Sequence, residues 1–276
     1  MYPILFQISG FSISSLAVLV TLGFFIAFFI VWRRLRELGT DEEKIIDAFL
    51  FSSLLGLISS RLLYIGLNYS VFGFNLIKWF YLQRFPGFSL WGALFGFLFG
   101  FYRFCQKERW NFLKVADELI FALCPFLILI SLGSFLDGSN LGAETGMFWG
   151  IFFPADPVRR HPIALFQALL FFLLWLIFLK IERIWRSWSW YKSKKQGLLF
   201  LIFLIFSSLS QLSLAFLKPM GLYLVNSEKI ASFLILVISL VFLYWFSGRK
   251  VKEDFMQFKE KIAIKKRENG KSDKKN

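Results

Sequence analysis

The sequence predicts an all-α polytopic membrane protein of seven transmembrane helices. Three observations predict it. Apolar residues fill 57% of the 276 positions, and 38 residues are Phe, against about 45–50% apolar in ordinary globular domains. They gather into runs near the length that crosses a bilayer, roughly 20 residues in helix. The net charge of +14 lies in short stretches between those runs and after the last of them. A soluble helical protein of this length could not hide so much apolar surface. Basic residues that flank apolar spans orient a membrane protein. The same placement excludes a nucleic-acid partner, which calls for a basic face.

The spans follow in order at about Phe11–Trp32, Ile45–Leu67, Phe88–Tyr102, Leu119–Leu136, Pro162–Leu179, Gly197–Leu217 and Ile230–Ser247. The first is too long for a signal-peptide apolar region and its positive charges follow it, so it is expected to stay as a span. The third is short, and Arg103 and Lys107 can snorkel from its end. Residues 1–247 are thus expected as a seven-helix membrane domain and 248–276 as a basic tail. In that tail Phe255, Phe258 and Ile262 recur at helical spacing, which suits a helix lying on the membrane surface.

Counting Lys and Arg gives the orientation. Of the 32, the loop after span 1, the Arg103–Lys114 loop, the Lys180–Lys195 loop and the tail hold 25. The other side holds seven, Arg61 near the outer end of span 2 among them. The positive-inside rule then puts the N-terminus outside, the C-terminus in the cytoplasm, and a small loop region on the extracytoplasmic side. Only Cys105 and Cys124 could form a disulfide; both lie in or beside apolar runs and are expected as buried free thiols.

The informative polar residues fall on the outer side. Arg61 lies well inside span 2, where a charge is costly unless paired or hydrated, and Tyr64 follows one turn later. A guanidinium there suits a lipid phosphate or a structural helix pairing. Gly92, Gly96 and Gly100 form a stripe that lets another helix approach closely. The stretch "LISLGSFLDGSNLGAETGMFWG" carries turn signals at Asp137-Gly138 and Asn140–Gly142, with Ser131 and Ser134 continuing its polarity into the span. "WGIFFPADPVRRHP" ends in Arg159-Arg160-His161-Pro162, and His161 is the only histidine. Two arginines at a helix start would attract a phosphate. In span 6, Ser207, Ser210 and Gln211 share a face and suit either interhelical hydrogen bonds or a hydrated cavity.

These residues, in this order, resemble the prolipoprotein diacylglyceryl transferase family. The resemblance is carried by "SRLLYIGL", "FSLWGALFG", "VADELI", "GSFLDGSNLG", "WGIFFP" and "RRHPIALFQALL". Arg61, Gly133, Phe135, Gly138, Gly142, Trp149, Arg160, His161 and Pro162 fit the family pattern. The resemblance implies a multi-pass enzyme of the bacterial plasma (inner) membrane. Its partners would be phosphatidylglycerol or another anionic lipid and the lipobox segment of a prolipoprotein. It would move diacylglyceryl from the lipid to the lipobox cysteine, releasing glycerol phosphate, with no metal and no organic cofactor. On this reading Arg61, Arg160 and Lys218 bind the lipid phosphate, and His161 or Asp137 assists the thiol. Gly133, Ser134, Gly138, Asn140 and Gly142 form the signature loop.

The sequence departs from the pattern at polar positions. The signature arginine falls on Ser131, the asparagines on Ser134 and Asp137, and the glutamate on Ser139. The His-Gly-Gly of span 3 becomes Trp91-Gly92-Ala93. The tyrosine of span 1 lands near Leu16 and the arginine of span 6 near Ser210, with Lys218 standing for the later arginine. Three functions follow: a divergent transferase, a catalytically impaired member that binds lipid or lipoprotein precursor, or a small-solute transporter.

Overall fold

The structure is a computed structural model, and it describes residues 4–8, 11–81, 84–85, 87–153, 157–185, 196–219 and 223–246. The expected tail, 248–276, lies outside the described residues. Helices dominate. They are α1 (Ser15–Glu37), α2 (Glu42–Leu67), the short α3 (Tyr69–Phe72) and α4 (Leu76–Phe80), α5 (Leu90–Glu108), α6 (Phe112–Asp137), α7 (Ile163–Trp185), α8 (Leu198–Ala215) and α9 (Tyr223–Phe246). Six of them, α1, α2, α6, α7, α8 and α9, are long and apolar enough to cross a membrane. The seventh expected span, α5, is 19 residues long, but its last turns carry Arg103, Gln106, Lys107 and Glu108.

The helices overrun the apolar runs, because hydropathy locates the lipid-facing part of a helix and caps locate its ends. Asn111 caps α6, its Oδ1 accepting from the amides of Leu113 at 3.1 Å and Lys114 at 3.3 Å. That start lies one to two turns before the expected Leu119. The αL residue Gly138, φ +72°, ends α6 one residue past the expected Leu136. The first span begins at Ser15 instead of Phe11. Phe11–Ser14 is a strand, β2, paired antiparallel with β1 (Ile4–Ile8), and Ser14 Oγ caps the helix at Ala17 N. A second pair, β3 (Ile151–Phe152) and β4 (Arg159–Arg160), lies between α6 and α7. The all-α expectation therefore holds for the spans and misses two small hairpins at their ends.

Many apolar side chains remain on the surface. Phe25, Phe29, Leu54, Leu57, Phe95 and Val241 are each more than half exposed. So many large apolar side chains on the surface suit lipid as the solvent. Inside, two apolar clusters meet on α6. One joins Ile120, Phe121, Leu123, Cys124 and Leu127 to α7 and α8. The other joins Val115, Leu119 and Ala122 to α1, α2 and α5. The glycine stripe of α5 lies against α2. A Cβ at Gly92 would come within 2.8 Å of Ser59 O, and one at Gly100 within 2.7 Å of Ser52 Cα. Small residues there let the two backbones nearly touch.

One turn of α6 joins four helices. Arg34 of α1 donates from Nη1 to Glu118 Oε2 at 2.8 Å and holds Glu182 of α7 by two bonds, 3.0 and 2.7 Å. Its guanidinium also lies 3.6 Å from the centroid of Phe121. The neighbouring Asp117 accepts from Gly197 N at 2.6 Å and Phe200 N at 2.9 Å, so it caps α8 from another helix. Gly197 is in the αL region, φ +94°, which aims its N–H at that carboxylate. The expected sixth span, Gly197–Leu217, thus starts one residue late because Gly197 is the cap.

Removing Arg34 would leave two carboxylates, Glu118 and Glu182, without their shared cation. Arg34→Met is expected to destabilise the fold by up to roughly 3–5 kcal/mol, the range for half-broken buried pairs. Arg33→Met breaks only the exposed pair to Glu37 and should cost less than about 1 kcal/mol. Thermal unfolding of both variants in one detergent measures the contrast.

Candidate active site

The polar stretch after α6 is built on main-chain pairing. Gly142 N donates to His161 O at 3.2 Å, His161 N to Ala143 O at 3.1 Å, and Thr145 N to Arg159 O at 2.9 Å. β4 pairs with β3 as well, Ile151 opposite Arg160. The Arg159–His161 segment is therefore bonded on both sides. Ala143 N donates to Leu217 O at 2.7 Å, which ties the loop to the end of α8. Gly142 must lack a side chain, since a Cβ would lie 2.6 Å from His161 Cβ. Pro162 O accepts from Leu165 N and Phe166 N and so starts α7 immediately after His161.

Side chains sit on this clamp. His161 Nδ1 accepts the indole N–H of Trp149 at 3.2 Å. Arg160 donates from Nη1 to Gly142 O at 3.3 Å and from Nη2 to Glu144 Oε1 at 3.4 Å. Arg159 stacks on Phe152, 5.0 Å from its centroid. Lys218 donates to Glu228 Oε2 at 2.6 Å, joining the end of α8 to α9. Asp137, the last residue of α6, and Asn140 have no side-chain hydrogen bond to a described residue, and both are half-buried. Gly133 is pressed against α1, where a Cβ would lie 3.0 Å from Leu16 Cδ1. Ser134 contributes its carbonyl, which accepts from Ser139 N at 3.2 Å.

Arg61 belongs to a different neighbourhood. Its Nε donates to Trp79 O at 3.0 Å, Nη1 to Gly87 O at 2.9 Å and Nη2 to Lys78 O at 3.4 Å. Phe72, 5.2 Å away, covers the guanidinium. It is buried, and among the described residues no carboxylate neutralises it. Gly87, φ +143°, lies so close to the Tyr64 ring that a Cβ would collide with it. The predicted set thus divides. Gly142, Arg160 and His161 are joined by direct bonds, and Lys218 follows the Leu217 carbonyl that holds Ala143. Arg61 instead clasps the Asn68–Ser89 connection.

The serines of α8 do not reach other helices. Ser207 and Ser208 donate to Leu204 O and Ser210 to Ser207 O, all within their own helix. Gln211 Nε2 is buried and has no partner among the described residues. Ser131 likewise donates to Leu127 O at 2.7 Å. Trp91 packs against the α6–α7–α8 cluster. Among the described residues no three His, Cys, Asp or Glu side chains converge as metal ligands. Sequence reading missed Asp117, Glu118 and Glu182. Their signal was present, as acidic residues in or next to apolar runs ask for partners.

Fold and site together define a polytopic helical membrane protein that carries an Arg-His loop clamped by main-chain bonds at one end of the bundle. Residues 3–245 match the family described as prolipoprotein diacylglyceryl transferase. The chain belongs to that family. Three relatives named phosphatidylglycerol–prolipoprotein diacylglyceryl transferase are similar to it. That of Clostridioides difficile (strain 630) is 26% identical over 164 residues, 59% of this chain and 65% of the relative. That of Clostridium tetani is 26% identical over 187 residues, 63% and 74%. That of Pseudoalteromonas atlantica is 31% identical over 182 residues, 63% and 64%. The matched part therefore spans just under two thirds of the first relative's length.

The clamp makes a direct prediction. Gly142→Val should unpair the loop and abolish the hydrogen-exchange protection of the His161 and Thr145 amides. Gly146→Ala should leave that protection intact, since a Cβ there meets nothing within 4 Å. Amide exchange read by mass spectrometry on both variants checks it.

Proposed function

We propose that this protein moves the diacylglyceryl group of phosphatidylglycerol onto the lipobox cysteine of a prolipoprotein, as part of lipoprotein biosynthesis. The observation that carries this reading is the Gly142–His161 clamp. It presents Arg160 and His161, side by side, at the start of α7 and beyond the signature end of α6. Family membership and the names of the relatives support it. In the reaction a C–O bond of the lipid breaks, a C–S bond forms, and glycerol phosphate departs with the electron pair. The cysteine is a good nucleophile only as thiolate, so a base must take its proton. Asp137, unengaged by any described side chain, and His161 are the candidates. Arg160 is assigned to the phosphate that gains charge, with Arg61 and Lys218 as further cations.

The same proposal places seven spans, with α5 as the third, in a bacterial inner membrane, the N-terminus outside and the tail in the cytoplasm. The 25 against seven distribution of basic residues supports that orientation. A cysteine at S139C, in the exposed part of the loop, should react with an impermeant maleimide on intact cells. One at R109C should react only after permeabilisation. The reverse pattern would overturn the orientation.

A second reading, a catalytically impaired member that binds lipid or precursor, has its own observation. At the departed positions Leu16, Trp91, Ser131 and Ser210 are taken up by packing or by bonds within their own helix, and Lys218 is paired with Glu228. One assay separates the two. Purified protein in phosphatidylglycerol vesicles should raise the mass of a lipobox peptide by one diacylglyceryl group. His161→Ala should slow that transfer by about 10²–10⁴, the usual effect of losing a general acid–base group. Lipid or peptide binding with no mass change in the wild-type protein would establish the second reading.

A further inference from the structure

His161 is a candidate for two opposite tasks, taking a proton from a thiol or giving a hydrogen bond to a phosphate. A neutral imidazole does the first with its bare nitrogen and the second with its protonated one, so the tautomer decides. Trp149 determines it. The indole N–H is only a donor, and it points at His161 Nδ1 at 3.2 Å. In the neutral ring Nδ1 must then be the bare nitrogen, and the proton sits on Nε2.

Both ends of this bond stand on pinned backbone. On the tryptophan side, Thr145 Oγ1 accepts from Met147 N at 3.2 Å, and Gly150 N donates to Met147 O at 3.0 Å. A Cβ on Gly150 would lie 2.9 Å from Thr145 Cγ2 and 3.2 Å from Arg159 Cβ. This turn is thus seated on the strand that leads to His161. Phe148 packs edge-on against the indole at 4.6 Å between centroids. On the histidine side, the amide and carbonyl of His161 are both used by the clamp, and the carbonyl also accepts from Ile163 N at 2.9 Å.

We propose that Trp149 is a positioning residue that locks His161 as the Nε2–H tautomer. His161 then serves as a hydrogen-bond donor to an anionic phosphodiester oxygen, and it does not act as the base for the thiol. The donor assignment rests on the proposed transferase reading; the tautomer assignment does not. No proton leaves the ring in this role. Its Nε2–H strengthens its bond to the phosphate as the C–O bond breaks and charge collects there. The thiol proton goes to a carboxylate, and Asp137 is the candidate at this end of α6.

The chain has one histidine, so ring-15N labelling of the full-length protein with a histidine-free tag, in phosphatidylglycerol nanodiscs, gives one imidazole signal pair. The wild type should show an Nε2–H, Nδ1-bare ring at neutral pH. Trp149→Phe should average the two nitrogens towards each other and slow transfer roughly tenfold, as loss of an orienting partner does at metal-bound histidines. His161→Gln keeps an N–H donor and has no basic nitrogen. It should transfer at least tenfold faster than His161→Ala. An Nδ1–H ring in the wild type, or an unchanged ring in Trp149→Phe, would overturn the positioning role. His161→Gln as slow as His161→Ala, with the expected tautomer present, would overturn the donor role. A wild-type protein without transfer would overturn the transferase reading and leave the nitrogen spectra to decide the tautomer.

Discussion

Among the described residues, Arg34 alone joins three helices through charge pairs, and it does so from the last turns of α1. Its guanidinium is shared between Glu118 and Glu182 and stacked on Phe121, in a place only partly open to solvent. The pairing matters because the helices themselves are lined with Phe and Leu, which pack well in many registers against one another or against lipid. A directional bond with two acceptors admits far fewer arrangements. Asp117, one residue away, does the same for α8 by accepting two of its free N–H groups. One turn of α6 therefore sets the register of α1, α7 and α8 around it.

The same helices run on to the other end of the bundle. There α6 finishes on an αL glycine and α7 begins on a proline, and the chain between them folds back on itself. The clamp of Gly142 and Ala143 on His161 needs the two helix ends at a particular separation, and Ala143 N on Leu217 O needs α8 there as well.

The cations of the protein are handled in contrasting ways. Arg61 is desolvated and meets three main-chain carbonyls, which offer dipoles but no negative charge. Lys218 and Arg160 have carboxylates, Glu228 and Glu144, at distances of 2.6 and 3.4 Å. The Arg160 pair is the longer and the more exposed of the two. Leu16 packs on Gly133, Trp91 packs in the core, and Ser131 bonds to its own helix.

How much of this could be read in the sequence depends on how local each feature is. Helical spans, their order, the glycine stripe of α5 and the turn at Asp137-Gly138 follow from short runs of residues, because hydropathy and turn preference act over a few positions. The helices overrun the apolar runs by up to two turns, since caps such as Asn111 and Ser14 lie outside those runs. Arg61 and His161 stood out as unusual residues in their surroundings, but neither their partners nor their tautomer could be read. Those partners come from elsewhere in the chain: Trp79 and Gly87 for Arg61, Trp149 for His161, and Glu182, 148 residues away, for Arg34. The sequence by itself determined that the chain is a bundle of apolar helices with its informative polar residues gathered in a few segments. The tertiary structure alone decided which of those residues meet, because a hydrogen bond between distant segments depends on the packing of every helix that carries them.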